Sequence, residues 1–390
     1  MGKGFGIGSI LGIPIRIDYS WLIVFAILSG VLTTNFLRAL PGTALPVALV
    51  LGVLTALLFF GSVLVHELMH SVVARARGLP VSGITLFIFG GAAQLEEEPP
   101  SPGIEFEMAV VGPLTSFALA GVFLVLWVAV GGLRLSAGRG AADYLWMLTG
   151  GRAHSPAAAI TLYLAYINLF LAVFNLAPGL PLDGGRLLRA VIWRLTGDLQ
   201  AATRVATVTG QLLGYVLIGL GILSFLAGNL GGVWLAFIGL FLLSAAQQSY
   251  QQMVFRSMLT GVPVGALARR DVLAVSPDLS VQGLVDDYLL RHSANVFPVV
   301  SEGRVLGTVG LNEVQKVPPD ARAVTPVGQV MQPVGPDEVV PDTLDAWEAV
   351  RRLGTAECEC LLLMDEDRLD GIVTRDSLLR WVHTQRQLRG

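Results

Sequence analysis

Two histidines and a glutamate interrupt the apolar stretch LLFFGSVLVHELMHSVVARARG, at positions 66, 70 and 67. Because His66 and His70 are four residues apart, their side chains share one face of a helix and can bind one metal ion. Neutral imidazoles suit zinc, and a zinc site with an open position lowers the pKa of a bound water to about 7. Glu67, beside that face, can accept the proton of this water and deliver it to a leaving amine. The spacing therefore predicts a hydrolytic zinc site.

A third protein ligand is expected from the segment NLAPGLPLDGGR at residues 175–186. Asp183 offers a carboxylate there, and the two glycines after it allow a close approach of backbone. Pro178 and Pro181 break the preceding helix, and irregular backbone at membrane depth is tolerated only beside protein or water. The alternative is a plain helix-ending turn with a solvated aspartate, just as satisfied surface histidines are the alternative for the histidine pair.

The elements that position these residues must be membrane helices. The chain has 390 residues, of which 53% are hydrophobic and only 14% are charged, with a mean hydropathy of +0.66. These values are too apolar for a soluble domain of this size. Residues 1–261 carry 13 Lys/Arg and 10 Asp/Glu, whereas residues 262–390 carry 13 and 19. The sequence thus predicts a membrane part followed by a soluble, acidic part.

Uncharged runs of about 18 residues or more can cross a hydrocarbon core of about 30 Å as helices. The turn sequence GNLGG at 228–232 divides the longest run in two, which gives six spans. With a cytoplasmic N-terminus, nine Lys/Arg fall inside and four outside, so both termini are expected in the cytoplasm of a multi-pass cell-membrane protein. The runs are Tyr19 to Leu37, Ala39 to Val65, Met108 to Leu133, Ser155 to Leu182, and Val205 to Phe255 in two parts.

The motifs VHELMH and NLAPGLPLDGG, in this order, resemble the site-2 protease family of intramembrane zinc metalloproteases. The resemblance extends to GSILGIPIRIDYSW, FIFGGAAQLEEE and GPLTS, and so covers essentially the whole membrane part. It implies that one zinc ion per chain is held by His66, His70 and Asp183, and that Glu67 is the general base. It also implies that Asn175 lies near the metal, where its amide can hydrogen-bond substrate or a developing oxyanion.

The same resemblance implies a membrane-anchored regulatory protein as substrate, cut in or near its transmembrane segment. One position departs from the family, which often has Asn where Ser116 stands, and Ser reaches less far and forms fewer hydrogen bonds. The segment VSGITLFIFGGAAQLEEE is interpreted as a re-entrant β hairpin whose edge pairs with an extended substrate. The alternative is a buried hairpin that only packs on the helices.

The soluble part contains a repeat of period 64, in which EGRVLGTVG at 302–310 aligns with EDRLDGIVT at 366–374. Each copy is expected to fold as helix, strand, strand, helix. The pair resembles two CBS modules, with repeats at about 270–318 and 330–384. The resemblance implies an adenine nucleotide held by Thr374, Asp376 and Glu313, although each half-site lacks one expected residue. A domain that only forms a homodimer is the alternative.

The sequence therefore predicts a polytopic α-helical membrane protein with about six transmembrane helices and a re-entrant β hairpin, plus a soluble α/β CBS pair. The expected domains are a transmembrane zinc metalloprotease domain at 1–260 and a cytoplasmic CBS pair at 261–390. Membrane lipid and a protein substrate are the expected partners, and nucleic acid is not. The alternative function is a CBS-gated transporter or channel. No inverted repeat relates the two halves, and an ion path does not require Glu between paired histidines.

Overall fold

The computed structural model describes residues 4–131, 155–292, 294–355, 360–365 and 368–389 of the chain. The chain divides into two compact units, Met1–Gln251 and Gln252–Gly390. The first unit contains a group of long apolar helices and one small sheet, and the second contains the repeated module. The residue at which the membrane domain gives way to the soluble domain, 260, stays a prediction.

Within the described residues, six helices are long and apolar enough to cross a membrane, which confirms the six predicted spans. Their starts follow from local sequence: Asp18 accepts a hydrogen bond of 2.8 Å from the backbone N–H of Ser20, and Ser101 and Ser155 cap later helices in the same way. The spans are α1 Tyr19–Ala39, α2 Leu45–Ala76, α3 Pro102–Ala129, α4 Pro156–Asn175, α6 Leu199–Leu226 and α7 Gly231–Leu259, with the shorter α5 Asp183–Thr196 between the fourth and fifth.

A four-stranded sheet lies beside α2, with the strand order β1-β2-β3-β4. The central pair β2 and β3 is parallel, and the outer pairs are antiparallel hairpins. Ile13, Ile15 and Ile84 are buried where the sheet packs on Leu64 and Leu68 of α2. The predicted extended segment forms the β3–β4 hairpin, and its re-entrant position in the membrane stays a prediction. The strands are β1 Gly4–Ile10, β2 Ile13–Asp18, β3 Val81–Phe87 and β4 Gly90–Leu95.

Helix α3 lies at the centre of the first unit and packs against α2, α4 and α5. Its buried positions recur every three or four residues, as expected for one face of a helix. Four of these positions are Glu105, Met108, Gly112 and Ser116. This face of α3 is therefore turned toward α2 and α5, the two helices that carry the predicted metal ligands.

The second unit contains two copies of one module, 64 residues apart, as the sequence predicts. The strand pair Val296–Ser301 and Arg304–Gly310 is repeated as Cys360–Asp365 and Arg368–Thr374. Each copy adds one short strand to form a three-stranded sheet. The elements are α8 Val281–Gly283 with a π-helical turn Leu284–Leu289, β5 Val296–Ser301, β6 Arg304–Gly310, α9 Leu311–Gln315, α10 Val327–Val330, β7 Gln332–Pro333, β8 Val339–Val340, α11 Ala346–Thr355, β9 Cys360–Asp365, β10 Arg368–Thr374 and α12 Arg375–Arg389.

Each module has its own apolar core. Phe297 and Val309 are buried at the centre of the first, and Leu361 and Val373 occupy the corresponding positions of the second. The second core also includes Leu259, the last residue of α7. The final turn of that helix is therefore part of the soluble fold.

Candidate active site

The two histidines lie one turn apart on α2 and point to the same side. Their Nε2 atoms are 3.3 Å apart, and the residues are only 3% and 4% exposed. Helix α2 continues for ten residues beyond His66, so neither histidine lies in a frayed end. The fully helical backbone is what places His66 and His70 side by side, as the spacing predicts.

Asp183, the first residue of α5, completes the group. Its Oδ2 atom lies 3.1 Å from Nε2 of His66 and 3.2 Å from Nε2 of His70. Three donor atoms from two helices thus form a triangle with edges of 3.1, 3.2 and 3.3 Å, although Asp183 is 117 residues from His66 and 113 from His70 in sequence. The structure brings together the three residues that the sequence singles out as metal ligands.

This triangle has the size of one face of a zinc coordination sphere. In a tetrahedral site with bonds of about 2.0–2.1 Å, neighbouring ligand atoms are about 3.3–3.4 Å apart. The donor set of two imidazole nitrogens and one carboxylate oxygen is also one that zinc accepts. The residues present therefore fit a zinc ion with a fourth position left for another ligand.

Two groups on α3 orient the imidazoles. The backbone carbonyl of Met108 lies 2.5 Å from Nδ1 of His70, and Oγ of Ser116 lies 2.9 Å from Nδ1 of His66. A carbonyl oxygen only accepts, so Nδ1 of His70 carries the proton and its Nε2 offers a lone pair. Ser116 supports the same tautomer in His66. Ser116, the position that departs from the family pattern, thus contacts one of the predicted ligands directly.

Gly112, between these two groups on α3, leaves room for the imidazole edges. A Cβ at this position would overlap Nε2 and Cε1 of His70, and Nε2 of His66 would lie only 2.7 Å away. Met108, Gly112 and Ser116 were not singled out together from the sequence. Their spacing of four residues on an apolar helix is the signal that would have found them.

Segment 176–182 and the start of α5 place Asp183. Helix α4 ends at Asn175, earlier than the predicted Leu182, because Pro178 has no N–H to continue the helix. Gly184 and Gly185 follow Asp183, and a Cβ on either would overlap the backbone of this segment. The absence of side chains there lets α5 begin against the segment, with its first carboxylate beside the histidines.

Glu67 lies next to the β3–β4 hairpin. A Cβ at Gly91 of β4 would come within 3.1 Å of Cδ and 3.3 Å of Oε1 of Glu67, so the hairpin backbone runs along this side chain. Glu67 is half-buried, in contrast to the two neighbouring histidines. Its carboxyl group therefore lies between α2 and β4.

Asn175 is the last residue of α4, seven residues before the N-cap of α5. Its Nδ2 donates to the carbonyl of Leu171, 3.1 Å away in the same helix. A side-chain amide has two N–H donors and one acceptor, so this bond leaves hydrogen-bonding capacity for another group.

In the soluble unit, two of the predicted nucleotide residues cap helices. Glu313 accepts a hydrogen bond of 3.0 Å from the N–H of Gly310, and Oγ1 of Thr374 accepts one of 3.3 Å from the N–H of Ser377. These capping pairs are equivalent by the repeat. Glu313 also borders an open cavity of about 830 Å³, together with Lys316 and with residues 330–333. Asp376 is exposed on α12.

Comparison with known proteins identifies the family of this chain. The model of peptidase family M50 matches residues 54–218, and the CBS domain model matches residues 264–320 and 327–384. A Mycobacterium tuberculosis protein named "Putative zinc metalloprotease Rip3" is 34% identical over 343 residues, which are 86% of this chain and 81% of that protein. The chain belongs to peptidase family M50. It is a multi-pass membrane metalloprotease of the site-2 protease type, with a pair of CBS domains.

Other M50 relatives are similar over most of their length. A protein of Methanocaldococcus jannaschii named zinc metalloprotease MJ0392 is 26% identical over 371 residues, which are 95% of this chain and 94% of that protein. Among solved structures, the site-2 protease from Methanocaldococcus jannaschii has 25% identity and a TM-score of 0.43, covering 64% of this chain and 95% of that one.

Proposed function

We propose that this M50 protein hydrolyses peptide bonds in or near the transmembrane segment of membrane-anchored regulatory proteins. The observation that carries the proposal is the triangle of nitrogen and oxygen donors formed by His66, His70 and Asp183 within an apolar helical unit. Buried polar groups in membrane helices are expensive and are retained where they do chemistry.

His66, His70 and Asp183 would hold one zinc ion. When bound, zinc supplies a Lewis acid that acidifies water and polarises a carbonyl group. The carbonyl of Met108 and Oγ of Ser116 accept hydrogen bonds from the Nδ1–H groups, which leaves the Nε2 atoms of the histidines free to bind the metal. The protein thus provides an open site, with ligands whose tautomers are already fixed.

Glu67 is assigned as the general base. Its carboxylate accepts a proton from the attacking water and returns this proton to the leaving amine nitrogen. Placement beside Gly91, on the side of α2 next to the ligands, fits that role. Asn175 is assigned a supporting role, in which its free amide N–H donates to the carbonyl oxygen of the substrate as negative charge develops there.

The edge of β4 offers a place for the substrate backbone. β4 is a terminal strand of the four-stranded sheet, so one row of its N–H and C=O groups faces away from β3. An extended peptide can pair with such an edge, and Gly91 of the same strand contacts Glu67. Pairing there would bring a locally unwound substrate segment to the proposed base.

Two further features of the protein are its orientation in the membrane and the role of its CBS pair. Both termini are assigned to the cytoplasm because this orientation places nine Lys/Arg on the cytoplasmic side of the membrane part and four on the other side. The CBS pair is assigned a regulatory role, in which an adenine nucleotide or homodimer formation changes the rate of proteolysis. No described contact favours the transporter alternative.

The decisive experiment combines zinc analysis with cleavage. Full-length wild type and Glu67→Gln are purified in detergent and also co-expressed with a tagged single-span membrane protein. We expect about one zinc per chain in both proteins and cleavage only with wild type. Glu107→Gln, a change of the same type in an exposed residue of α3, is the control and should cleave normally. Cleavage by Glu67→Gln at near the wild-type rate would reject the mechanism.

A further inference from the structure

Helix α5 is short, and its first residue is Asp183. Its N-terminal end is held by the close approach of Gly184 and Gly185 to the preceding segment. Six residues after Asp183, Arg189 forms an ion pair with Glu105 of α3: its Nε lies 2.6 Å from Oε1, and its Nη2 contacts the same oxygen. The position of α5 against α3 therefore depends on a charged contact as well as on packing.

This ion pair is deeply buried. The Glu105 side chain is 0% exposed and the Arg189 side chain 12% exposed. Both guanidinium contacts go to Oε1, and Oε2 of Glu105 has no hydrogen-bond partner in the described chain. A buried ion pair contributes little net stability once desolvation is counted, and an unpaired buried oxygen adds to the cost. A role in stability alone does not account for these two charges.

The location of Glu105 supplies another role. Glu105 and Met108 are three residues apart on α3 and therefore share one face of one turn. The carbonyl of Met108 orients His70, and the carboxylate of Glu105 holds α5, which begins with Asp183. The same turn of α3 thus fixes ligands from two different helices relative to one another.

We propose that the Glu105–Arg189 pair is a positioning pair for the metal site: it holds α5 so that the Asp183 carboxylate stays in contact with both histidines. Neither residue is a metal ligand or a catalytic residue. The inference rests on the proposed function only in taking Asp183 as a ligand. Loss of the pair should weaken zinc binding more than it weakens the zinc-free fold.

The test measures zinc affinity and the thermal unfolding temperature of the zinc-free, full-length protein in detergent. The variants are Glu105→Gln and the double change Glu105→Met with Arg189→Met. The matched control is Glu107→Gln, on the same helix as Glu105, which breaks an exposed ion pair to Arg77 at the end of α2. Glu105→Gln should weaken zinc binding about tenfold, the lower end of the range seen when a group that orients a metal ligand is lost. Glu107→Gln should leave the affinity within about twofold of wild type, because exposed pairs contribute little.

The double Met variant separates positioning from stability. Apolar replacement of a buried ion pair is often neutral or stabilising, so this variant should fold even if Glu105→Gln does not. We expect the zinc-free double Met variant to unfold at the wild-type temperature but to bind zinc more weakly than wild type. A double Met variant with both the wild-type zinc affinity and the wild-type unfolding temperature would overturn the inference. A zinc affinity of Glu105→Gln equal to that of Glu107→Gln would overturn it as well. Equal zinc affinity in wild type and Asp183→Ala would instead overturn the proposed ligand set, and the inference with it.

Discussion

Gly112 of α3 lies so close to His70 that a Cβ on residue 112 would overlap the imidazole of His70. We therefore expect Gly112→Ala to push the ligand rings away from Asp183 and to lower zinc affinity about tenfold or more. A loss of zinc affinity would point to the metal site itself, because Gly→Ala inside a helix ordinarily stabilises the helix by about 0.5–1 kcal/mol. Zinc content after dialysis against a chelator measures the effect.

Gly121, nine residues further along α3, is the control for this substitution. A Cβ there would meet no atom within 4 Å, so Gly121→Ala should keep its zinc and gain slightly in helix stability. If Gly112→Ala retained zinc as well as Gly121→Ala does, the close contact between α3 and the imidazoles would be unimportant for the metal.

Asp183→Ala should lower zinc occupancy because it removes a donor atom from the triangle. Asp198→Ala is the matched control, since Asp198 caps α6 by accepting hydrogen bonds from the backbone N–H of Gln200 and Ala201. Loss of that cap should cost about 0.5–2 kcal/mol of stability and leave zinc bound. Unchanged zinc in Asp183→Ala would require a different third ligand.

The sequence pointed to the group formed by His66, His70 and Asp183, but not to the α3 residues packed against it. His66 and His70 could be paired because helix periodicity is local, and Asp183 because the flanking Pro and Gly residues mark unusual backbone. The contacts of Met108 and Gly112 depend on how α3 packs against α2, which no local pattern determines. The parallel pairing of β2 with β3 is equally non-local, since 62 residues separate the end of one strand from the start of the next.

The tip of the β3–β4 hairpin packs on α7. The ring of Phe89 stacks on Phe241 with centroids 3.9 Å apart. Aromatic pairs contribute about 0.5–1.5 kcal/mol beyond area burial, so Phe241→Ala should raise local opening of the hairpin about 2- to 12-fold. Hydrogen exchange of the β4 amides measures this, with zinc content unchanged. Phe170→Ala, in a stacked pair within α4, is the control. Equal exchange in the two variants would rule out a contribution of the stack to hairpin order.

Reporter fusions test the proposed orientation. Fusions after Arg77, Arg194 and Ser257 should report a cytoplasmic position, and those after Leu133 and Asn229 the opposite side. Asn229 lies in the turn between α6 and α7, and Leu133 lies outside the described residues. A fusion at Ser257 on the outer side would contradict the cytoplasmic placement of the CBS pair.

An adenine nucleotide that binds the CBS pair is expected to change the rate of proteolysis. Truncation after Met258 is a poor probe, because Leu259 belongs to the core of the second CBS module and Met258 packs against it. Point variants in the full-length protein avoid this loss of a core residue. If ATP, ADP or AMP binds, a tenfold change in cleavage rate corresponds to about 1.4 kcal/mol of coupling, within the usual allosteric range. Thr374→Ala should abolish this response and leave zinc and basal cleavage intact.

Ser377→Ala is the necessary control, because Thr374 and Ser377 cap α12 together. The N–H of Thr374 donates to Oγ of Ser377 at 3.0 Å, and the N–H of Ser377 donates to Oγ1 of Thr374 at 3.3 Å. Ser377→Ala removes half of this capping pair but keeps the Thr374 hydroxyl for a ligand. A nucleotide response kept in Ser377→Ala but lost in Thr374→Ala would indicate direct binding by Thr374. Loss in both variants would assign the effect to the helix cap, and a wild type that responds to no nucleotide would favour a domain that only dimerises.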